Sequence, residues 1–189
     1  MIRIDPWTYF FTAFLVMILP LDWLLSALCA AVFHELCHIA VILALGGTIK
    51  NIHIGIGAAA IETEIPDKGR ELLSALAGPA GSLLLLTLCH AFPKLSICAC
   101  IQGLFNLLPV YPLDGGRALK CGLELVCPGK ADKTLYLTEI IIYMLLTVFA
   151  VTGTMVLSLG IMPLIVMILM ILKGILRKRP CKQSQIRVQ

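Results

Sequence analysis

The sequence has few charged residues: Asp, Glu, Lys and Arg together make up 14% of its 189 residues. A soluble globular domain carries about 25%, so this scarcity excludes a soluble domain of ordinary composition. Hydrophobic residues reach 59% and the mean hydropathy is +0.96, which predicts an integral membrane protein in contact with a lipid bilayer. The net charge of +4 does not require a nucleic acid partner, because basic residues gather next to membrane spans.

A secretory signal and a pair of cysteines at zinc-binding spacing are also absent. The first residues lack the basic region and small-residue cleavage site of a signal peptide, so we expect the amino terminus to be retained. The eight cysteines include no Cys-x-x-Cys pair, and several fall in apolar segments. Free cysteine there behaves as a small hydrophobic residue, and structural disulfides are therefore not expected.

Apolar segments predict about six transmembrane helices. A span needs roughly 20 apolar residues, with a range of about 17–25. The predicted spans cover residues 7–19, 23–45, 71–92, 95–109, 135–152 and 155–172, of which the first is short. We therefore expect an all-α polytopic membrane protein, with a single transmembrane domain over residues 1–176 and a short basic cytoplasmic tail over residues 177–189.

The basic residues predict the orientation of these spans. If both termini are cytoplasmic, fourteen of the fifteen Lys and Arg residues fall on that side and Lys94 alone lies outside. An excess of Lys and Arg in cytoplasmic loops is the usual signal of membrane topology. The pattern also favours six spans, because removing one of them would scramble it.

The segment over residues 49–64 differs from the spans around it. Isoleucines at 49, 52, 54 and 56 recur mostly at every second position, which indicates one or two short strands. They would follow the second span on the cytoplasmic side, where an exposed strand edge could pair with an extended peptide. A loop along the membrane, with no role in substrate binding, is the alternative.

Residues 34–38 read His-Glu-Leu-Cys-His inside the second predicted span. On a helix, His34 and His38 project from one face and can hold one zinc ion, with Glu35 beside them as a general base. A buried polar cluster that only ties helices together would not require this spacing. The pentapeptide therefore predicts a zinc-dependent peptidase site within the membrane.

A catalytic zinc site has three protein ligands and one open position, so a third ligand must come from elsewhere. Asp114 is the best candidate, because it follows the fourth predicted span and precedes two glycines that let the backbone approach a ligand closely. An ionisable residue at such a position is a functional candidate by default. Both motifs lie toward the cytoplasmic ends of their spans, so they can meet at one depth.

The pentapeptide, paired with Asn106-Leu-Leu-Pro-Val-Tyr-Pro-Leu-Asp114-Gly-Gly, resembles the site-2 protease family of intramembrane zinc metalloproteases. The order, spacing and compact plan are most similar to its bacterial sporulation branch, which processes a membrane-associated sigma-factor precursor. The likeness covers residues 22–120, and Gly78-Pro-Ala-Gly-Ser82 matches another segment of the family.

The resemblance implies a role for each site residue. Glu35 would be catalytic, and Asn106 would lie near the substrate carbonyl as an oxyanion or positioning group. One Zn²⁺ would be bound by His34, His38 and Asp114. The resemblance also implies a membrane-associated protein substrate, a regulatory membrane protein as a partner, and a bacterial cell membrane as the location.

Other interpretations of these residues stay open. Gly78, Gly81 and Ser82 are typical of close helix packing, and Asn106 could simply bond across a helix interface. A non-catalytic metal-binding scaffold or a transporter subunit is the rival function, although transporters commonly show internal repeats and none is evident. Only about 17 residues follow Leu172, so we expect neither the PDZ nor the CBS domain that some relatives carry.

Overall fold

The structure is a computed structural model, and it describes residues 2–4, 20–55, 58–65, 67–111, 113–155 and 168. By the contacts between its residues, the chain divides into two units, residues 1–136 and residues 137–189. The predicted first span and nearly all of the predicted sixth lie outside the described residues, as does the basic tail.

Helix α1 spans Leu21–Ala44 and has two contrasting faces. Ala30, His34, His38 and Ile42 are buried, and their spacing of four places them in one stripe. More than half of the surface is exposed on several large side chains of the helix, at Leu21, Leu25, Leu28, Val32, Leu36 and Leu43. A helix with leucines outside and histidines inside is suited to lipid around it rather than to water.

The carboxyl end of α1 is closed by a glycine turn. Gly46 adopts a φ of 77°, a left-handed conformation that glycine reaches without steric cost. The Gly47 amide donates to the Ile42 carbonyl at 2.9 Å, and the Arg70 guanidinium donates to the Leu45 carbonyl, also at 2.9 Å. The chain thereby leaves the apolar helix with its last carbonyls paired.

A small three-stranded sheet accompanies the helices. Strand β2 (Thr48–Gly55) lies between β1 (Ile2–Ile4), which runs parallel to it, and β3 (Ala58–Glu64), which runs antiparallel. Strands β2 and β3 occupy the segment in which alternating isoleucines indicated strands. Strand β1 was not predicted, because its three residues are too few to show a period.

Helix α2 (Lys68–Leu84) continues as a 3₁₀ helix over Leu85–Leu88 and packs against its neighbours on several sides. Those neighbours include α1, α3 (Pro93–Asn106) and α4 (Asp114–Val126). Small residues allow the close approach. A Cβ on Gly81 would lie 2.3 Å from Cys37 Sγ, and one on Gly103 would lie 2.9 Å from the Ser82 Cβ.

Within the described residues, three helices are long and apolar enough to cross a membrane. They are α1, α2 with its 3₁₀ extension, and α5 (Ala131–Met155). The predicted fourth span, residues 95–109, corresponds to α3, whose 14 residues rise about 21 Å against a hydrocarbon core of about 30 Å. The chain is thus a mostly helical integral membrane protein, and the count of six spans stays a prediction.

Helices α1 and α3 are joined at their amino-terminal ends by an ion pair. Lys94, near the start of α3, pairs with Asp22 at the start of α1 and lies 5.7 Å above the Trp23 ring. Helices α1 and α3 therefore run parallel from a common end. Lys94 is the basic residue that the charge pattern placed on the outer side.

Helix α4 was not predicted from the sequence, because hydropathy identifies only segments of spanning length. It is short, and its exposed and half-buried side chains include Arg117, Lys120 and Glu124. Its buried face includes Gly115 and Gly116, which sit directly against the preceding connection. A Cβ on Gly115 would lie 2.1 Å from the Leu107 carbonyl oxygen.

We expect Gly115→Ala to destabilise the protein, because the added methyl overlaps backbone that cannot rotate away. Overpacking of this kind costs roughly 1–3 kcal/mol, which thermal unfolding in detergent would register as a lower Tm. Gly122→Ala on the same helix is the matched control, since a Cβ there meets nothing within 4 Å. Equal Tm values for the two variants would contradict the tight fit of the connection.

Candidate metal site

His34 and His38 bring their Nε2 atoms together on the buried face of α1. The two atoms lie 3.2 Å apart, and the residues are 1% and 4% exposed. The i, i+4 spacing that the sequence offered thus places both imidazoles at one point. Both rings are shielded from solvent by the helices around them.

Asp114 reaches the same point from another element. It is the first residue of α4, and its Oδ2 lies 3.0 Å from His34 Nε2 and 3.1 Å from His38 Nε2. In the part of the chain that the structure describes, these three residues form the one group of His, Cys, Asp and Glu with metal-binding geometry. The predicted third ligand therefore lies beside the predicted pair.

The spacing of the three donor atoms fits a small cation. Tetrahedral zinc with bonds of 2.0–2.1 Å needs donors roughly 3.3 Å apart, and the observed separations are 3.0, 3.1 and 3.2 Å. Two imidazole nitrogens and one carboxylate oxygen are also a donor set that zinc accepts. The three side chains could hold such an ion with small shifts.

The second ring nitrogen of each histidine is engaged by α2. His34 Nδ1 lies 2.8 Å from Ser82 Oγ, and His38 Nδ1 lies 2.7 Å from the Ser74 carbonyl oxygen. Histidine ligands in metal sites commonly donate their other N–H in this way, which fixes the tautomer and the ring orientation. Both histidines are therefore oriented with Nε2 toward the shared point.

The carboxylate of Asp114 has a partner as well. Arg117, one turn further along α4, places its guanidinium 3.7 Å from Asp114 Oδ1. The contact leaves Oδ2 directed at the histidines. Each of the three donor side chains is thus held on its far side by another group.

Gly78 forms a wall of the site. A Cβ at this position would lie 2.2 Å from His38 Nε2 and 2.7 Å from His34 Nε2, so only a residue without a side chain fits. From the sequence, Gly78 and Ser82 are typical of close helix packing. The structure places both beside the histidines, and the spacing of Ser74, Gly78 and Ser82 at i, i+4 and i+8 was the available signal.

The other two predicted site residues are Glu35 and Asn106. Glu35 is partly buried and follows His34 directly on α1. Asn106 ends α3, and its Nδ2 lies 3.4 Å from His34 Nε2. The side chains of His34, His38, Asp114 and Asn106 therefore lie around one point, and the role of Glu35 stays a prediction.

The fold and the donor set together define a helical membrane protein with a potential divalent metal site. No protein-family model matches the chain. A zinc metalloprotease of Methanocaldococcus jannaschii is 34% identical over 110 residues, which cover 50% of this chain and 32% of that protein. A Synechocystis protein provisionally named a zinc metalloprotease is 36% identical over 119 residues, covering 54% of this chain and 31% of the relative.

A solved structure shares the fold. The site-2 protease of Methanocaldococcus jannaschii superimposes with a TM-score of 0.67 over 98% of this chain and 94% of that one, at 23% identity. The matched segments span about a third of the length of the two relatives above. The likeness to the solved structure establishes a shared fold, and the two relatives add a likeness in sequence over about half of this chain.

We expect Gly78→Ala to lower the zinc content of the purified protein sharply. The new methyl would occupy space within 3 Å of both Nε2 atoms and push the histidines away from Asp114. Gly69→Ala on the same helix is the control, because its Cβ meets only the mobile end of a carboxylate, Asp67 Oδ2, at 3.1 Å. Full zinc content in both variants, by atomic absorption, would show that the site is not against α2.

Proposed function

We propose that the chain is an intramembrane zinc metalloprotease, which hydrolyses a peptide bond of a membrane-associated protein near the cytoplasmic face. One observation carries the proposal: two buried histidines of an apolar helix and an aspartate converge on one point, and a glutamate follows the first histidine in sequence. The names of the relatives, a zinc metalloprotease and a site-2 protease, support the same chemistry.

His34, His38 and Asp114 would hold one Zn²⁺ ion. Zinc, when bound, supplies a Lewis acid that polarises a carbonyl and makes water acidic enough to lose a proton near neutral pH. The protein's part is to exclude bulk water and to fix the donors. Burial of both histidines excludes bulk water. Their contacts with α2 fix the orientation of the rings.

Glu35 would act as the general base. It follows the donor His34 directly on α1 and is partly buried, and a carboxylate near the metal could accept a proton from water and later deliver it to the leaving amine. Asn106 has its amide beside His34. An amide N–H there can hold the substrate carbonyl or stabilise the negative charge that develops on its oxygen.

The depth of the site supports cleavage inside the membrane. His34 lies twelve residues after Asp22 along α1, which is a rise of about 18 Å from the outer end. That distance is past the middle of a hydrocarbon core of about 30 Å. We retain the cytoplasmic termini, the six spans, the single domain over residues 1–176, the bacterial membrane, the regulatory partner and the sporulation branch as proposals.

Strand β3 offers an edge for an extended substrate. Among the described residues it pairs with β2 alone, and it follows the helix that carries the metal donors. A helical substrate hides its carbonyls in its own hydrogen bonds and must unwind before cleavage. Pairing with the outer edge of β3 would hold the unwound segment straight.

Single prolines along Ala59–Glu62 test this role of β3, because only alternate residues point their N–H toward the outer edge. Proline at an outward position is compatible with an edge strand. We expect those variants to cleave a model membrane peptide more slowly, with unchanged Tm and zinc content. Undiminished cleavage by every folded variant would show that the edge of β3 has no part in substrate binding.

The rival function, a non-catalytic scaffold or a transporter subunit, needs the metal donors but gives Glu35 no role as a base. Replacing Glu35 therefore separates the two, since a scaffold would keep its function without the carboxylate. The membrane fold and the zinc metalloprotease names of the relatives favour hydrolysis.

We expect Glu35→Gln to keep zinc at the wild-type level and to lose peptide cleavage by at least about 100-fold, the usual contribution of a general base. The purified full chain in detergent would be compared by zinc content and by cleavage of a model membrane peptide. Asp132→Asn, which removes an exposed carboxylate, is the control and should cleave normally. Cleavage that survives in Glu35→Gln would rule out the mechanism.

A further inference from the structure

Ser82 is completely buried and faces a histidine of the metal site. Its exposed fraction is 0%, and its Oγ lies 2.8 Å from His34 Nδ1. For His34 to present the lone pair of Nε2 to a metal, its proton must reside on Nδ1. Ser82 Oγ is then the acceptor of that proton.

We propose that Ser82 is a positioning residue of the metal site. Its hydroxyl accepts the Nδ1 proton of His34 and thereby fixes the tautomer and the ring angle in which Nε2 faces Asp114 and His38. The inference rests on the zinc site of the proposed function and deepens it. Ser82 touches neither the reacting atoms nor the metal, so its effect passes entirely through His34.

Ser82 differs in this from the other buried serines. Ser74 Oγ donates to the Glu71 carbonyl at 2.8 Å, and Ser96 Oγ donates to the Leu85 carbonyl at 2.9 Å. Those bonds only satisfy a hydroxyl in an apolar setting. A hydroxyl can accept and donate at once, so Ser82 can serve His34 and still satisfy its own proton.

The two histidines are supported in different ways. His38 Nδ1 contacts the Ser74 carbonyl oxygen, a backbone group that no substitution removes. His34 Nδ1 instead contacts the hydroxyl of the Ser82 side chain. Ser82 also sits where α3 presses on α2, because a Cβ on Gly103 would lie 2.9 Å from its Cβ. The tight packing restricts the position of the Ser82 side chain and leaves room only for a residue of similar or smaller size.

We expect Ser82→Ala to weaken zinc binding about 10- to 100-fold, the usual effect of removing such an outer partner. Affinity would be measured on the purified full chain in detergent, by competition with a chelator of known affinity. The absorption spectrum of the Co²⁺-substituted protein would report the geometry at the metal independently of activity. Ser96→Ala, which removes an equally buried hydroxyl that bonds backbone, should change neither measurement.

Ser82→Cys provides a second variant, with a weak acceptor in place of a strong one, and we expect an intermediate loss of affinity. Wild-type zinc affinity in either folded Ser82 variant, or an equal loss in Ser96→Ala, would overturn the positioning role while leaving the proposed function intact. A wild-type chain that binds no zinc would instead overturn the proposed function, and this inference with it.

Discussion

The contact between helix α2 and the two histidines of α1 is the constraint on which the rest of the structure depends. Imidazole rings in an apolar membrane helix carry N–H groups that are costly to leave without a partner. Helix α2 supplies an acceptor to each ring and, at Gly78, the space for both Nε2 atoms. Because these needs are met on one side of α1, its opposite side is free to carry exposed leucines.

The position of Asp114, the third donor, follows from the pairing of helices α1 and α3. Helices α1 and α3 start together at the Asp22–Lys94 pair, and His34 and Asn106 each lie twelve residues further on. Equal lengths of parallel helix bring these two side chains to one height, where they are 3.4 Å apart. The glycines after Asp114 then allow the start of α4 to lie directly against the connection that follows α3.

Much of this arrangement could be predicted from the sequence because it rests on helical spacing and on the cost of charge in lipid. The predicted second span, residues 23–45, differs little from α1 at Leu21–Ala44, and the structure brings the three predicted donors and Asn106 together. Helix α4 was missed because hydropathy detects spans, and α4 is too short and too polar to register as one. The shortness of α3 was missed because apolar residues continue past Asn106 in sequence after the helix has ended.

The role of α2 could not be predicted for a different reason. Ser74, Gly78 and Ser82 carry no charge and suit a packing stripe as well as a support for ligands, so the residue types do not separate the two interpretations. Their function depends on which helix lies opposite, and that is a property of the tertiary structure. Sequence spacing identifies residues that share a face, but it does not identify what the face meets.

The balance of charge at the site argues for a cation rather than for a structural cluster. Asp114 and Glu35 bring two negative charges when both are ionised, and Arg117, whose guanidinium lies 3.7 Å from Asp114 Oδ1, offsets one. Neutral histidines leave the second negative charge uncompensated in a setting where isolated charge is expensive. A divalent ion between the three donors would offset that charge. The groups that make the site costly to bury are thus the ones that suit it to a metal ion.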